Sequence, residues 1–553
     1  QFVHMYLRYL GWNYVGTEGD WKDAGVNWKQ LYGIPLFLGL LGLIVHWRKD
    51  PKMATVVTAA FLVMGLALVI NRNFQEPEVR ERDYFFVGSF FVYSLWIGMG
   101  ALGLIDWFRT KQPPSRSAVA GFGVLALALV FVPLNMLRTN FPQMNRTGNY
   151  AVWDYAYNVL QSCERDAILF TNGDNDTYPL WYLQDVEGVR RDIRIVCLSL
   201  LNRDWYITQL KHEQPFGAKE IPISMSDAEI ESASGRLFSP RTVALPVPAH
   251  TLRQFNIEEP AARRSPLNGE EAIDTLSFTA PATIEFEGGK ALRVQDVAAS
   301  DIVVSTAWQR PIYFAMTVPT EGQIGLNEYL QLEGLVFRLT PRRRTSLWSN
   351  VDDIRTRAHL FFTVNAPSTS AATGCRWRGL QDSTTHLDED VRHLLSNYRQ
   401  AFILLARHYI SEPEKAPQAA EILDRMEKVL PRRTWSMDYR TKMYVAGLYK
   451  SAGAIDKFNR VCDELVSTLI PLANKEVAGP LTGNNPFVLL LQTYEMMGRF
   501  DDALSVNDVI HSLYSGEKNI ELIFGQTRSV LLSEQASAQR PDSLARATSS
   551  KGK

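Results

Sequence analysis

Cysteine is scarce in this chain. Its 553 residues include only Cys163, Cys197, Cys375 and Cys462, widely spaced and with no Cys-x-x-Cys pair. That pattern argues against a zinc site or a disulfide framework, and Cys197, inside an apolar run, reads as a small buried hydrophobe. The nine histidines show no His-x-x-x-His spacing, so no metal centre is expected, and no Ser/His/Asp grouping can be inferred. An excess of charge is missing too. Fifty-eight basic residues against 59 acidic ones leave a net charge of −1, so there is no basic field to attract nucleic acid.

Long apolar runs are present. Leu31–His46, Met53–Ile70, Tyr84–Phe108 and Ala118–Leu137 each approach the ~20 helical residues needed to cross a ~30 Å hydrocarbon core. The first two are slightly short, and the third has length to tilt. Four spans are therefore expected over residues 31–137. The loops carrying Arg48, Lys49 and Lys52, and Arg109, Lys111 and Arg116, should be cytoplasmic by the positive-inside rule. The mixed loop Asn71–Asp83 then lies outside, as does everything after Leu137, which places the large remainder in a periplasm or lumen.

Residues 1–30 read as an interfacial segment, because Tyr6, Tyr9, Trp12, Tyr14, Trp21 and Trp28 suit the headgroup level. A chain that opens on the far side without a methionine leads to the expectation that further spanning helices precede it.

From residue 138 to 365 the pattern is that of a soluble α/β domain. A helix over Tyr150–Ser162 is followed by a strand, Ala167–Phe170, a polar turn, a helix over Tyr178–Val189 and a second strand, Ile193–Leu201. This βαβ order predicts a parallel pair. No Gly-x-Gly-x-x-Gly or Walker-type segment accompanies it, so no nucleotide cofactor is expected. A hairpin is predicted around Gly288-Gly289, and further strands over Asp301–Thr306 and Ile312–Val318.

Residues 366–390, rich in Ser, Thr and Gly, read as a linker. Residues 391–530 read as a tetratricopeptide-like helical domain, with Ala406-x-x-Tyr409, Ala446-x-x-Tyr449 and Leu491-x-x-Tyr494 recurring. Such an array would offer a concave face to a protein partner, although an ordinary helical bundle fits the same pattern. Residues 531–553 read as a disordered tail.

Two groups of residues have chemistry to offer. In Glu76-Pro77-Glu78-Val79-Arg80-Glu81-Arg82-Asp83, Arg80 and Arg82 can grip a lipid phosphate while Asp83 and its neighbours hold them in place. Interfacial Arg–Glu pairs can equally do no more than anchor a hairpin end. In the turn after the first strand, Asn172, Asp174 and Asp176 lie where open α/β sheets bind ligands. Their oxygens suit a hard cation or sugar hydroxyls. Asp176 or Thr177 also suits a helix cap.

These same segments carry a family resemblance. Gln75–Ser89, Phe170–Gln184, Ser199–Ile207, Arg310–Ala315 and Tyr329–Leu335 resemble a family of large bacterial multipass proteins of the protein O-mannosyltransferase-like type. The resemblance covers residues 1 to about 345; the helical tail resembles only the general tetratricopeptide type. It implies a GT-C-type glycosyltransferase, passing a sugar from a polyprenyl-phosphate carrier to protein hydroxyls on the outer side of the membrane. In such enzymes the catalytic acid usually lies in an early outer loop, which is not among these residues, so the catalytic residue is left unassigned. The alternative is a non-catalytic accessory subunit of a larger membrane complex.

Overall fold

A computed structural model describes residues 2–538 apart from 20, 22, 73–80, 234, 258–271, 287–288, 344–349, 433, 476–480, 484 and 515–517. The chain divides into two compact units. Gln1–Asn149 with Thr384–His393 forms the first, and Tyr150–Ser383 with Leu394–Lys553 forms the second.

In the first unit three helices are long and apolar enough to cross a membrane: Pro51–Arg72, Asp83–Thr110 and Ser115–Met144, of 22, 28 and 30 residues. The first apolar run is also helical, over Ile34–Lys49, but its 16 residues rise only ~24 Å. Local sequence sets that limit. Gly33, in the left-handed region at φ 67°, precedes the helix. At the other end the Asp50 side chain accepts from Met53 N–H and Pro51 opens the next helix.

Ile34–Lys49 packs on Asp83–Thr110 through glycine. A Cβ on Gly42 would meet the Trp96 carbonyl oxygen at 1.7 Å, and one on Gly100 would meet that of Leu38 at 2.0 Å. Only small residues permit such an approach. The opening segment turns Tyr6, Tyr9 and Tyr14 inward onto Phe86, Phe90, Tyr93 and Trp96, whereas Trp21 and Trp28 stay exposed.

The second unit begins with the Ala151–Ser162 helix. Its strands, in chain order, are β1 (Ile168–Thr171), β2 (Arg194–Cys197), β3 (Thr242–Pro248), β4 (Ala272–Thr279), β5 (Ile284–Phe286), β6 (Gly289–Ala291), β7 (Ile312–Ala315), β8 (Leu330–Glu333) and β9 (Val336–Leu339). The main sheet has the order β2-β1-β7-β9-β8. Strand β1 runs parallel to β2 and β7, and β9 is antiparallel to β7 and β8. All four residues of β1, β2 and β7 are buried, as continuous apolar strands covered on both faces should be. β3–β4 and β5–β6 form separate antiparallel pairs; Gly288, in the predicted hairpin turn, lies outside the described residues.

The parallel βαβ unit is present, with its helix at Asp174–Asp185, starting four residues before Tyr178. Asp301–Thr306, read as a strand from Ile302, Val303 and Val304, is instead the end of a helix, Val294–Thr306. Asp296 accepts from Arg293 N–H at 2.9 Å and fixes the helix start. Burial of Ala298, Ala299, Ile302 and Val303 then outweighs β-branched propensity.

The predicted linker is tied down over part of its length. Arg378 meets Asp154 at 2.6 Å, and Arg376 N–H donates to Asn158 at 2.8 Å, so this stretch straps the Ala151–Ser162 helix. In the tail, Glu389–Ser411, Tyr439–Ser451 and Pro486–Met497 are each followed by a second helix: Ala419–Val429, Ile455–Lys475 and Phe500–Leu513. The recurring Ala/Leu-x-x-Tyr residues fall on the first helix of each pair. Those three helices line one groove of about 1070 Å³ that includes Arg407, Arg440, Tyr444 and Met496. Residues 533–538, expected to be disordered, end the Lys518–Ala538 helix; the rest of the predicted tail lies outside the described residues.

Candidate functional site

The arginines of the Asn71–Asp83 loop part company. Arg80, with Glu76 and Glu78, lies outside the described residues. Arg82 and Asp83 stand at the 3-10 turn Asp83–Phe86 that leads into the third apolar run. Between them and the opening segment, Glu81 is a hub. Its Oε2 accepts from Arg8 Nη2 at 2.7 Å and from the Tyr9 hydroxyl at 2.5 Å, and its Oε1 accepts from Asp23 N–H at 2.6 Å. Arg8, its side chain only 11% exposed, lies over the rings of Trp12 and Tyr9. Burial raises the Tyr9 phenol well above its ordinary value, so this hydroxyl stays protonated: it donates to Glu81 and accepts from Arg82 N–H at 3.1 Å. The Arg82 side chain reaches Tyr84 OH at 3.0 Å and remains partly exposed. Glu81 is thus committed to holding Arg8, while Arg82 and Arg72 lie nearer the surface.

The polar turn after β1 is built differently. Asp176 is buried and occupies the third position of the Asp174–Asp185 helix. Its two oxygens accept from Asn172 N–H at 2.9 Å and Gly173 N–H at 2.8 Å, and the Thr317 hydroxyl donates to one of them. This carboxylate fixes the turn and satisfies helix-start donors. Asn172 and Asp174 are exposed and line a cavity of about 450 Å³ with Tyr178, Ser199, Arg293 and Gln295.

Each wall has a local cause. Ser199 follows β2, where its N–H donates to Asn172 O at 3.2 Å. Arg293 is held by Asp296 at 2.9 Å, and Gln295 accepts from Asn202 at 2.7 Å. The pocket therefore lies beyond the carboxyl ends of β1 and β2, and its carboxylate, amides, hydroxyls and guanidinium can share the hydroxyls of a sugar or an anionic group.

Sequence reasoning placed Asn172, Asp174 and Asp176 in one turn, and the structure separates Asp176 from the pocket wall. It missed Arg8, Tyr9 and Asp23, which are remote in sequence from Glu81. Arg293 and Gln295 also went unrecognised: the first falls in the predicted hairpin around Gly288-Gly289, and the second lies at the start of a helix, Val294–Thr306, that was not predicted. Among the described residues no group of His, Cys, Asp and Glu is arranged to hold a metal ion.

The class defined by these features is a membrane protein carrying a mixed α/β domain. Residues 152–242 and 277–357, which include nearly all of that domain's sheet and its pocket, match the family model TMEM260-associated domain 2. The chain is 25% identical over 188 residues to Protein O-mannosyl-transferase tmem260 of Dictyostelium discoideum, covering 31% of this chain and 23% of that protein. It is 22% identical over 187 residues to Protein O-mannosyl-transferase TMEM260 of Mus musculus, covering 28% of this chain and 26% of that protein. The matched region thus spans about a quarter of the length of these curated relatives. No solved structure matches the chain. Bilayer-length helices and these similarities together describe a membrane protein that resembles part of these O-mannosyl-transferase relatives.

Proposed function

We propose that the protein takes part in transferring a sugar from a polyprenyl-phosphate carrier to protein hydroxyls on the outer side of a membrane, with the α/β domain holding substrate. The observation that carries this reading is the hydroxyl-matching pocket at the carboxyl ends of β1 and β2. It lies within the segment similar to the O-mannosyltransferase relatives. Asn172 and Asp174 would receive sugar or acceptor hydroxyls, and Arg80 and Arg82 would engage the carrier phosphate, with Asp83 holding the arginines in place.

In this reading Ile34–Lys49 is a fourth span. Its Phe37, Leu40 and Ile44, at helical spacing, are exposed as a lipid-facing stripe, while Gly42 faces the neighbouring helix. The basic loops lie in the cytoplasm, and the α/β domain lies in the periplasm or lumen. The helical pairs form a tetratricopeptide-like arm whose groove receives a protein partner between Arg407 and Arg440.

The test is sugar transfer by membranes from cells carrying Asn172→Ala or Arg82→Ala in the gene. Each is expected to lower transfer at least ~10-fold, the scale of one lost charge-assisted contact; wild-type transfer by both variants would remove the assignment. The groove also favours a second reading, an accessory subunit that grips a partner. A particle of the protein's own mass after gentle solubilisation would argue against it.

A further inference from the structure

A second cavity, of about 270 Å³, opens beside the same helix, lined by Trp181, Trp205 and Phe216 together with Asp185, Gln209 and Glu213. Two of its aromatic walls lie outside the core: Trp205 and Phe216 are 56% and 54% exposed. Phe216 holds its place in the left-handed region, at φ 57° and ψ 20°, a conformation disfavoured for a residue with a Cβ and worth asking a function of. The ring is steadied by Arg191, whose guanidinium lies 4.1 Å from its centroid. Arg191 itself donates to the Gln184 and Asp185 carbonyls at 2.7 and 3.0 Å. Gln209 and Glu213 meet at 3.1 Å on the opposite rim.

The chemistry of this cleft selects its ligand. Asp185 and Glu213 repel phosphate and resist burial in a lipid surface, and the two lining arginines, Arg191 and Arg194, are committed to backbone carbonyls. An aromatic floor with carboxylate and amide acceptors at its edge fits a pyranose ring. The ring's C–H face covers the indole while its hydroxyls donate to the rim. The size suits one ring, just below the range of pockets that enclose larger ligands. Tyr178, from the wall of the first pocket, stacks on Trp181 at 5.4 Å and 26°, so an aromatic surface joins the two cavities.

We propose that this cleft is a carbohydrate-binding subsite that holds one pyranose of a glycan, separate from the pocket at Asn172 and Asp174. Only the choice of a mannoside as probe rests on the function proposed above; the cleft stands on its own geometry.

The test is ligand-observed saturation-transfer NMR on the membrane-reconstituted chain with methyl α-mannopyranoside and α-mannobiose. Wild-type protein should bind both sugars. Trp205→Ala should weaken binding at least ~10-fold, and Glu213→Gln several-fold. Equal binding in Trp205→Ala and Glu213→Gln, or none by the wild type at millimolar probe, would overturn the proposal while leaving the transfer assay to judge the first pocket. The native cysteines are buried, so a fluorophore on Phe216→Cys reports on this position alone. Its quenching by spin-labelled lipid would also overturn the proposal, in favour of membrane contact.

Discussion

The hub at Glu81 and the pocket at Asn172 and Asp174 gather similar side chains to opposite ends. Around Glu81 both carboxylate oxygens are spent within the protein, on Arg8, Tyr9 and Asp23. At the second site one carboxylate, Asp176, is spent in the same way on the turn backbone, and this leaves Asn172 and Asp174 displayed on a cavity wall. A charged cluster can thus be divided between side chains buried in the fold and others that face a cavity.

That contrast can be broken at several points. Glu81→Ala should have the largest effect on stability, because it leaves Arg8, whose Nε already has no hydrogen-bond partner, with the more exposed Asp23 at 3.3 Å as its carboxylate. Breaking such a nearly buried pair costs about 3 kcal/mol. Thermal unfolding in detergent should show this as a fall of several degrees; an unchanged melting temperature would mean that Arg8 finds water instead.

A pH effect comes next. His359 is held down to about 4, first by burial and then by the nearby charges of Arg355 and Arg190. An unfolded histidine takes up its proton near 6.5, so between about 6.5 and 4 the unfolded chain binds more protons and stability falls as pH falls. The loss should reach about 2 kcal/mol after allowance for partial exposure. His359→Gln should flatten the profile in that window, and an unaltered slope would assign the loss to other groups.

Asp176→Ala should cost about 1.5 kcal/mol, the scale of a lost helix cap, whereas Asp174→Asn should stay within about 0.5 kcal/mol. Denaturant titration of the two variants compares the structural and displayed carboxylates directly. Equal losses would erase the distinction between them.

Much of this arrangement was legible in the sequence. The apolar runs, the βαβ order and the turn between Thr171 and Thr177 all rest on local patterns, and local patterns set helix and strand. Chain-distant pairings were not legible. Nothing near Glu81 points to Arg8 or Asp23, which reach it only through packing of the opening segment. Arg293 and Gln295 stayed hidden because they flank the start of the Val294–Thr306 helix, which Asp296 fixes and which the hairpin and strand patterns around it obscure. The Ala366–Asp390 composition likewise suggests freedom, but Arg376 and Arg378 find partners on the Ala151–Ser162 helix.

The most direct measurement is the rate of mannosyl transfer from a polyprenyl-phosphate mannose to acceptor peptide by membranes carrying Asp174→Asn, with the melting temperature followed in parallel. The account predicts a fall of at least ~10-fold at unchanged stability. Wild-type transfer by that variant would contradict it.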